Sequence, residues 1–274
     1  MFRPSAKILF TAVCVLSSLP AYADLILTAP PRESAEQGEA FYGPIAKYLT
    51  EQIGEKVVYR HPDTWEHYGA DMRNDKYDIV FDGPHFAAWR MKHLQHTPLV
   101  KLPGDLSFVV VTRADRKDIK KLRHMQSKKT CGIASPNLSM LTYLSQFAHA
   151  SALPPVFEVK GGMPEVYQAF KEGKCDAAVL RDGFYNNKLK AKDKAALKVL
   201  YTSNPLPNQT VTVSKRVSKQ AQAVITKNLM TTQGAKSAQK LLERFSKKKP
   251  NFATASAGQY AGAESLLEGV VWGW

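Results

Sequence analysis

The chain has 274 residues, with 38 Lys and Arg against 24 Asp and Glu, and a formal net charge of +14 at pH 7. An apolar fraction of 44% excludes an intrinsically disordered chain. Three cysteines are too few for a disulfide scaffold, and 16 Gly and 16 Pro are too few for a collagen-like chain. The length fits two domains of about 100–150 residues or one large domain. The charge leaves nucleic acid, an anionic membrane surface and an anionic small molecule as candidate partners.

The first 23 residues have the pattern of a secretory signal peptide. Arg3 and Lys7 accompany an apolar stretch at 8–19, and Ala21-Tyr22-Ala23 has the small-x-small form of a cleavage site. The alternative, a membrane anchor, needs about 20 apolar residues, more than this stretch contains. We therefore predict cleavage after Ala23, a periplasmic location, and a mature chain that starts at Asp24 with a net charge of +12, because two basic residues are removed.

The mature chain alternates between short apolar runs typical of strands and segments whose apolar residues recur at helical spacing. The predicted strands are 24–28, 56–59, 77–81, 107–113, 130–134, 157–160, 176–180, 197–201 and 210–214. Gly54 is predicted to end the first helix, and the residues after the last strand are predicted to be helical. Two successive series of this kind predict an α/β protein built from parallel sheets covered by helices.

The two series predict two βαβ lobes joined by a two-segment hinge. We expect lobe one to comprise 24–111 together with 204–274, and lobe two to comprise 112–203. In such a fold the ligand lies in the cleft between the lobes, at the carboxyl ends of the parallel strands.

Several segments, in order along the chain, match a known protein family. They are Pro31-Arg32-Glu33, Tyr42-Gly-Pro-Ile-Ala-Lys-Tyr-Leu49, Lys76-Tyr-Asp-Ile-Val-Phe-Asp-Gly-Pro84, Gly132-Ile-Ala-Ser-Pro-Asn-Leu-Ser139, Gly161-Gly162 with 169–180, and Pro205-Leu-Pro-Asn208. The chain thus resembles the periplasmic phosphate/phosphite/phosphonate solute-binding proteins of ABC transporters, over almost all of its mature length. The resemblance implies the type II periplasmic-binding-protein fold. It also implies capture of a small, phosphonate- or phosphate-like oxyanion and docking on an inner-membrane permease.

The chain departs from the family pattern at two places. The family presents a Ser-Thr-Ser run at the turn after the first strand of lobe two, whereas this chain has Leu138-Ser139-Met140, so only Ser139 matches. Met163-Pro164 stands where the family has a His-Glu pair. A small-ligand role is retained, but recognition of a phosphonate's amino group is not implied.

In lobe two, the candidate ligand-binding residues follow two predicted strands. Ser135, Asn137 and Ser139 form a turn whose hydroxyls and backbone N–H groups favour an anion. The alternative is that Ser135 or Asn137 simply caps the following helix. Arg181 and Asp182 follow another strand, and Arg181 can bind a carboxylate, sulfonate or phosphonate through two hydrogen bonds. The alternative is an ion pair of Arg181 with Asp182 or with the other lobe.

In lobe one, Asp82 and His85 follow the third predicted strand. Asp82 can accept a hydrogen bond from an amine or hydroxyl, and it would repel a bare dianion. Trp65 and Tyr68 follow the second strand and either stack on a ligand or pack in the core. Arg32 follows the first strand and is a further candidate.

Cys131 and Cys175 adjoin the first and third strands of lobe two, which are neighbours in a doubly wound sheet. Both lie at the edge opposite the cleft, and an exported pair is predicted to form a disulfide. Five histidines between His61 and His96 suggest a metal or metal-chelate site as an alternative. Their spacing matches no metal motif, so we predict solvated histidines, no metal and no cofactor.

The sequence favours a monomeric receptor over an enzyme or a nucleic-acid-binding protein. It contains no GxSxG, P-loop or GxGxxG motif, and its lysine-rich segments have the pattern of solvated helix ends. Two further alternatives stay open. One is a sensory module that feeds a receptor kinase, and the other is a binding fold that has acquired hydrolytic or metal-dependent activity.

Overall fold

The computed structural model describes residues 23–147, 150–245 and 251–269, so the predicted signal peptide lies outside it except for Ala23. The strands are β1 Leu25–Thr28, β2 Val57–Tyr59, β3 Ile79–Asp82, β4 Thr97–Lys101, β5 Asp105–Leu106, β6 Phe108–Arg113, β7 Thr130–Ile133, β8 Val156–Val159, β9 Ala177–Arg181, β10 Leu197–Thr202, β11 Leu206–Pro207, β12 Thr210–Val213 and β13 Ala253–Thr254. The α-helices are α1 Ala35–Ile53, α2 Trp65–Arg73, α3 Pro84–Leu94, α4 Leu138–Leu144, α5 Met163–Lys171, α6 Asp182–Lys188, α7 Ala191–Ala195, α8 Lys219–Leu229, α9 Thr232–Ser237, α10 Gln239–Phe245 and α11 Ser265–Glu268. Within these ranges, none of the helices combines the length and the apolar composition that crossing a bilayer requires.

The first sheet has the strand order β13-β4-β12-β3-β1-β2. β1 is parallel to β2 and β3, whereas β12 lies between β3 and β4 and is antiparallel to both. The segment that returns from the second sheet therefore supplies a central strand of the first. Helix α1 packs on this sheet and against α8, α9 and α10, with Tyr42 and Leu49 buried in the shared core. Gly54 ends α1 in the left-handed conformation (φ 74°), as predicted.

The second sheet has the strand order β10-β6-β9-β7-β8. β7 is parallel to β8 and β9, while β6 is antiparallel to β9 and β10. The lobe boundary predicted after residue 111 is therefore too late, because residues on both sides of it pair with β9. The chain leaves the first sheet before Phe108, because the whole of β6 is hydrogen-bonded within the second sheet, between β9 and β10.

The two sheets are connected by a small antiparallel pair, β5 and β11, in which Leu106 pairs with Leu206 and Asp105 with Pro207. The two chain segments that cross between the lobes therefore run side by side. Two adjacent crossings of this kind form a hinge about which the lobes can rotate.

A short C-terminal helix also touches both lobes. α11 contacts α3 of the first lobe and α4 of the second. Leu267 of α11 is fully buried in an apolar cluster that contains Phe86 from α3 and Leu141 from α4. The lobes thus share an apolar contact beside the hinge.

Cys131 and Cys175 form a disulfide in the second lobe, which confirms the predicted pairing. Their Cα atoms are 5.6 Å apart, because β7 and β9 are neighbouring strands. Both side chains are at most 4% exposed. The bond lies at the beginnings of these strands, at the edge of the sheet opposite the cleft.

Replacing both cysteines (Cys131→Ser, Cys175→Ser) should lower the free energy of unfolding by about 3–4 kcal/mol, because the bond closes a loop with a sequence separation of 44. Urea denaturation of the variant and of the oxidised wild type measures this difference. Equal stability of the two proteins would contradict a stabilising role for the bond.

Candidate ligand-binding site

The carboxyl ends of the parallel strands of the two lobes meet at one place. His85, in the first turn of α3, lies with Nε2 3.1 Å from the carbonyl oxygen of Pro136, which follows β7. Both residues are buried. Because a carbonyl can only accept, His85 donates from Nε2, and its Nδ1 carries a lone pair. This contact between the lobes identifies the candidate site.

A buried cluster of three polar side chains forms the floor of this site. The Tyr68 hydroxyl donates to Asp82 Oδ2 over 2.5 Å, and Arg90 Nε donates to the same oxygen over 3.2 Å. Arg90 Nη2 donates to the Tyr68 oxygen over 2.7 Å, so the hydroxyl both donates and accepts within the cluster. All three side chains are at most 1% exposed. Tyr68 therefore serves to hold Asp82 at the end of β3.

Arg90 is a residue that sequence reasoning missed. It lies on α3 among buried apolar residues, including Ala87 and Trp89, and an arginine in such a position needs a counter-ion. An arginine among the apolar positions of a predicted helix, together with an aspartate at the end of the preceding strand, is the signal that would have identified it. A neutral Asp82 would leave the buried guanidinium without a counter-ion among the described residues, so Arg90 keeps the carboxylate ionised although burial raises its pKa.

Four buried polar atoms near the cluster make no hydrogen bond to any described residue. They are Arg32 Nη1, Tyr42 Oη, Asp82 Oδ1 and His85 Nδ1. Burial raises the pKa of Tyr42 and Asp82 and lowers that of His85; the charge of Arg32 lies close enough to act on all three groups, opposing the first two shifts and adding to the third. Buried polar atoms in proteins are nearly always hydrogen-bonded, so these four are the candidate contacts for a ligand. Tyr42 was not predicted, because its place on the apolar face of α1 is typical of a core residue.

The electrostatics of the site are mixed in sign. Burial lowers the pKa of His85 to about 3, the bond to Pro136 opposes this shift, and the charge of Arg32 adds to it. His85 is therefore neutral at pH 7, and its Nδ1 is an acceptor. Asp82 Oδ1 is a second acceptor, and Arg32 Nη1 is a cationic donor. The site thus fits a ligand with both an anionic group and a hydrogen-bond donor.

In the turn after β7, which was predicted to bind an anion, Asn137 and Ser139 hydrogen-bond to each other. Asn137 is the N-cap of α4, and its Oδ1 accepts from the Ser139 backbone N–H (3.0 Å) and from the Ser139 hydroxyl (2.7 Å). Ser139 is fully buried, while Ser135 is exposed. Asn137 therefore caps helix α4, which was the alternative to anion binding. The Ser139 hydroxyl already donates its proton to Asn137.

Arg181 ends β9 and is half-buried. Burial lowers the pKa of its guanidinium, which the charge of Asp182 opposes. The Arg181 side chain makes no hydrogen bond or ion pair within the described ranges, so the ion-pair alternative is not observed. Asp182 begins α6, and its backbone N–H donates to the Ser107 carbonyl over 2.9 Å. Arg181 thus supplies an unpaired positive charge at a strand end of the second lobe.

Trp65 packs in an aromatic cluster of the first lobe. Its ring is stacked on Phe86 with 6.1 Å between centroids, and it meets Tyr68 edge-on at 6.2 Å. Of its two predicted roles, this geometry favours core packing.

The histidines do not form a common cluster. His61 lies 3.1 Å from the Tyr59 hydroxyl, His93 lies 2.6 Å from Glu268, and His96 lies 3.3 Å from Asp75. Across the described ranges, no three His, Cys, Asp or Glu side chains are placed to hold a metal ion. The metal alternative therefore has no geometric support in this part of the chain.

Acidification should destabilise the protein partly through His85. Its pKa is about 3 when folded and near 6.5 when unfolded, so the unfolded state binds more protons as the pH falls below 6.5. His85 alone should then lower the free energy of unfolding by about 2 kcal/mol between pH 7.5 and pH 5. Urea denaturation at both pH values should show a smaller loss for His85→Gln than for wild type. Equal losses would contradict the buried neutral imidazole, since His96, whose pKa is also lowered, contributes to both proteins alike.

Comparison with solved structures shows the fold. PhnD1 from Prochlorococcus marinus, in complex with methylphosphonate, has a TM-score of 0.63 at 14% identity, over 89% of this chain and 97% of that chain. XAC2383 from Xanthomonas citri, bound to ATP, has a TM-score of 0.68 at 14% identity, over 91% and 97%. PA3383 from Pseudomonas aeruginosa, a binding protein component of an ABC phosphonate transporter, has a TM-score of 0.59 at 16% identity, over 88% and 84%. The predicted two-lobed type II fold is therefore confirmed.

A search of curated protein sequences finds no match. The model of one protein family, however, matches residues 27–260, which is most of the chain. That family is described as the periplasmic substrate-binding protein of phosphonate ABC transporters. The chain belongs to this family of periplasmic substrate-binding proteins.

Proposed function

We propose that this protein captures a small phosphonate-like oxyanion in the cleft between its lobes and presents it to an ABC permease in the inner membrane. It acts in the periplasm after removal of residues 1–23, as a monomer, without a cofactor and without catalysing a reaction. The observation that carries the ligand proposal is the buried Arg32 Nη1, which has no hydrogen-bond partner among the described residues, at the strand ends where the lobes touch.

Two arginines supply the positive charge for such a ligand. Arg32 follows β1 in the first lobe, and Arg181 ends β9 in the second. Neither guanidinium has a hydrogen bond or ion pair in the described part of the chain. A guanidinium binds the oxygens of a phosphonate through strong, charge-assisted hydrogen bonds. One charge from each lobe would also make closure of the cleft favourable only with an anion between them.

Asp82 Oδ1 and His85 Nδ1 narrow the proposal further. Both atoms are acceptors, so a fully ionised oxyanion would place its own acceptor oxygens against them. A singly protonated phosphonate, or one that carries a hydroxyl or amine, offers the required donor. This pair of acceptors favours methylphosphonate or phosphite over a sulfonate, whose oxygens carry no proton at neutral pH.

Closure of the lobes explains how ligand binding is signalled. The crossing segments β5 and β11 absorb the rotation, and the bond between His85 and Pro136 joins the two lobes when they meet. A ligand that bridges Arg32 and the second lobe stabilises this closed form. The permease would then distinguish the ligand-bound protein from the free protein by the shape of the surface around the closed cleft.

Isothermal titration with methylphosphonate, phosphite, phosphate, methanesulfonate, amino acids and amines tests the proposal. We expect the protonatable phosphorus oxyanions to bind and methanesulfonate to bind at least about tenfold more weakly. Arg32→Ala should weaken binding by about 100-fold, because it removes a buried charge-assisted contact. Arg123→Ala is the matched control, since Arg123 is exposed between β6 and β7 at the edge of the second lobe opposite the cleft, and its affinity should be unchanged.

Binding of an amine or amino acid with no response to any oxyanion would show that the anion proposal is wrong. Unchanged affinity of a folded Arg32→Ala variant would remove Arg32 from the site. Arg181→Ala tests separately whether the second lobe contributes to binding. The unfolding transition of this variant, measured on the same sample as its affinity, shows whether the variant is folded.

A further inference from the structure

Three segments of the second lobe come together at the edge of its sheet opposite the cleft. We define this surface as the basic pole, which comprises residues 113–129, 171–176 and 188–198. Lys198 Nζ donates to the Arg116 carbonyl over 3.0 Å, which joins the third segment to the first. The Lys129 backbone N–H donates to Asp176 Oδ2 over 3.0 Å, which joins the first to the second. The three segments therefore form one continuous surface.

The basic pole holds nearly all of the excess positive charge of the mature chain. It contains 12 Lys and 3 Arg against 5 Asp and Glu, a net charge of +10 out of the +12 of the mature chain. The other residues of the mature chain are therefore almost neutral as a group. A charge this strongly confined to one end gives the molecule a marked electrostatic polarity.

Three of the five acidic groups of the pole are already paired. Asp118 pairs with Arg116 and Lys128, Asp176 pairs with Arg116, and Glu172 pairs with Lys174. The exposed basic residues there are Lys117, Lys120, Lys121, Arg123, Lys129, Lys171, Lys174, Lys188, Lys190 and Lys192. Lysines predominate, and a lysine ammonium is a hydrated point charge suited to diffuse attraction by many anionic groups.

The position of the pole separates it from the ligand and from the closing motion. β9 begins at the pole with Ala177 and ends at the cleft with Arg181, so the strand, about 13 Å long, lies between the two surfaces. The pole belongs to one lobe only, and rotation at β5 and β11 leaves its shape unchanged. A partner at the pole therefore cannot sense whether the cleft is closed.

We propose that the basic pole docks this protein on the anionic phospholipid surface of a bilayer. Such a surface attracts clustered lysines at a distance of about one Debye length, and it needs no specific shape to do so. Each lysine near the surface strengthens binding by about fivefold. Docking through the pole leaves the cleft free and keeps the protein close to the membrane. This proposal does not depend on the identity of the ligand.

Sedimentation of the mature chain with lipid vesicles tests the proposal. Vesicles of phosphatidylglycerol and phosphatidylcholine in equal amounts should bind the protein, and vesicles of pure phosphatidylcholine should not. The binding should decrease as the salt concentration is raised from 50 to 500 mM. The variant Lys117→Glu, Lys120→Glu, Lys121→Glu, Lys192→Glu should lose at least about tenfold in affinity, because it reverses four exposed charges of the pole. None of these four side chains forms an ion pair with a described residue, so the fold should be undisturbed.

The matched control is Lys215→Glu, Lys227→Glu, Lys236→Glu, Lys240→Glu, which changes the net charge equally at exposed positions outside the pole. We expect the control to bind vesicles within about threefold of wild type. Equal losses in both variants would show that net charge alone acts, which overturns the proposal. Absent binding to phosphatidylglycerol vesicles also overturns it, including a case in which immobilised polyglutamate or DNA retains the protein.

Discussion

The buried pairing of Asp82 with Arg90 and Tyr68 is the interaction on which the candidate site depends. These three side chains are at most 1% exposed, and each satisfies the others at the carboxyl end of β3. Removing one member of a buried ion pair leaves a charge without compensation, which is strongly destabilising. The cluster therefore fixes the position of the carboxylate, and it leaves Oδ1 without a hydrogen-bond partner among the described residues.

The same constraint explains why the site combines opposite charges. Arg90 neutralises Asp82, and the neighbouring Arg32 makes no ion pair with any described residue, so its charge is available for the proposed anion. His85 is kept neutral by burial and by its contact with Pro136 of the other lobe. The cleft therefore holds one or two cationic donors, whereas the basic pole lies at the opposite edge of the second sheet.

Most strands were predicted from the local pattern, because an apolar run of four to seven residues bounded by turn residues is too short for most helices and favours a strand. β4 was not predicted, since Pro98 interrupts its pattern, and the ladder is irregular where Pro98 pairs with Thr212. The positions of Asp82, His85 and Arg32 at strand ends followed from the predicted topology. The pairing of Arg90 with Tyr68 depends on packing between α2 and α3, so one sequence could not reveal it. The basic segments were visible in the sequence, but their union at one pole required the sheet.

The crystal structure of the protein with methylphosphonate is the most direct test of the central claim, that a ligand completes the unpaired buried groups of the cleft. The claim predicts ligand oxygens within hydrogen-bond distance of Arg32 Nη1, Asp82 Oδ1 and His85 Nδ1, with the bond between His85 and Pro136 intact. A ligand bound elsewhere, or bound in the cleft with these three atoms uninvolved, would contradict the claim.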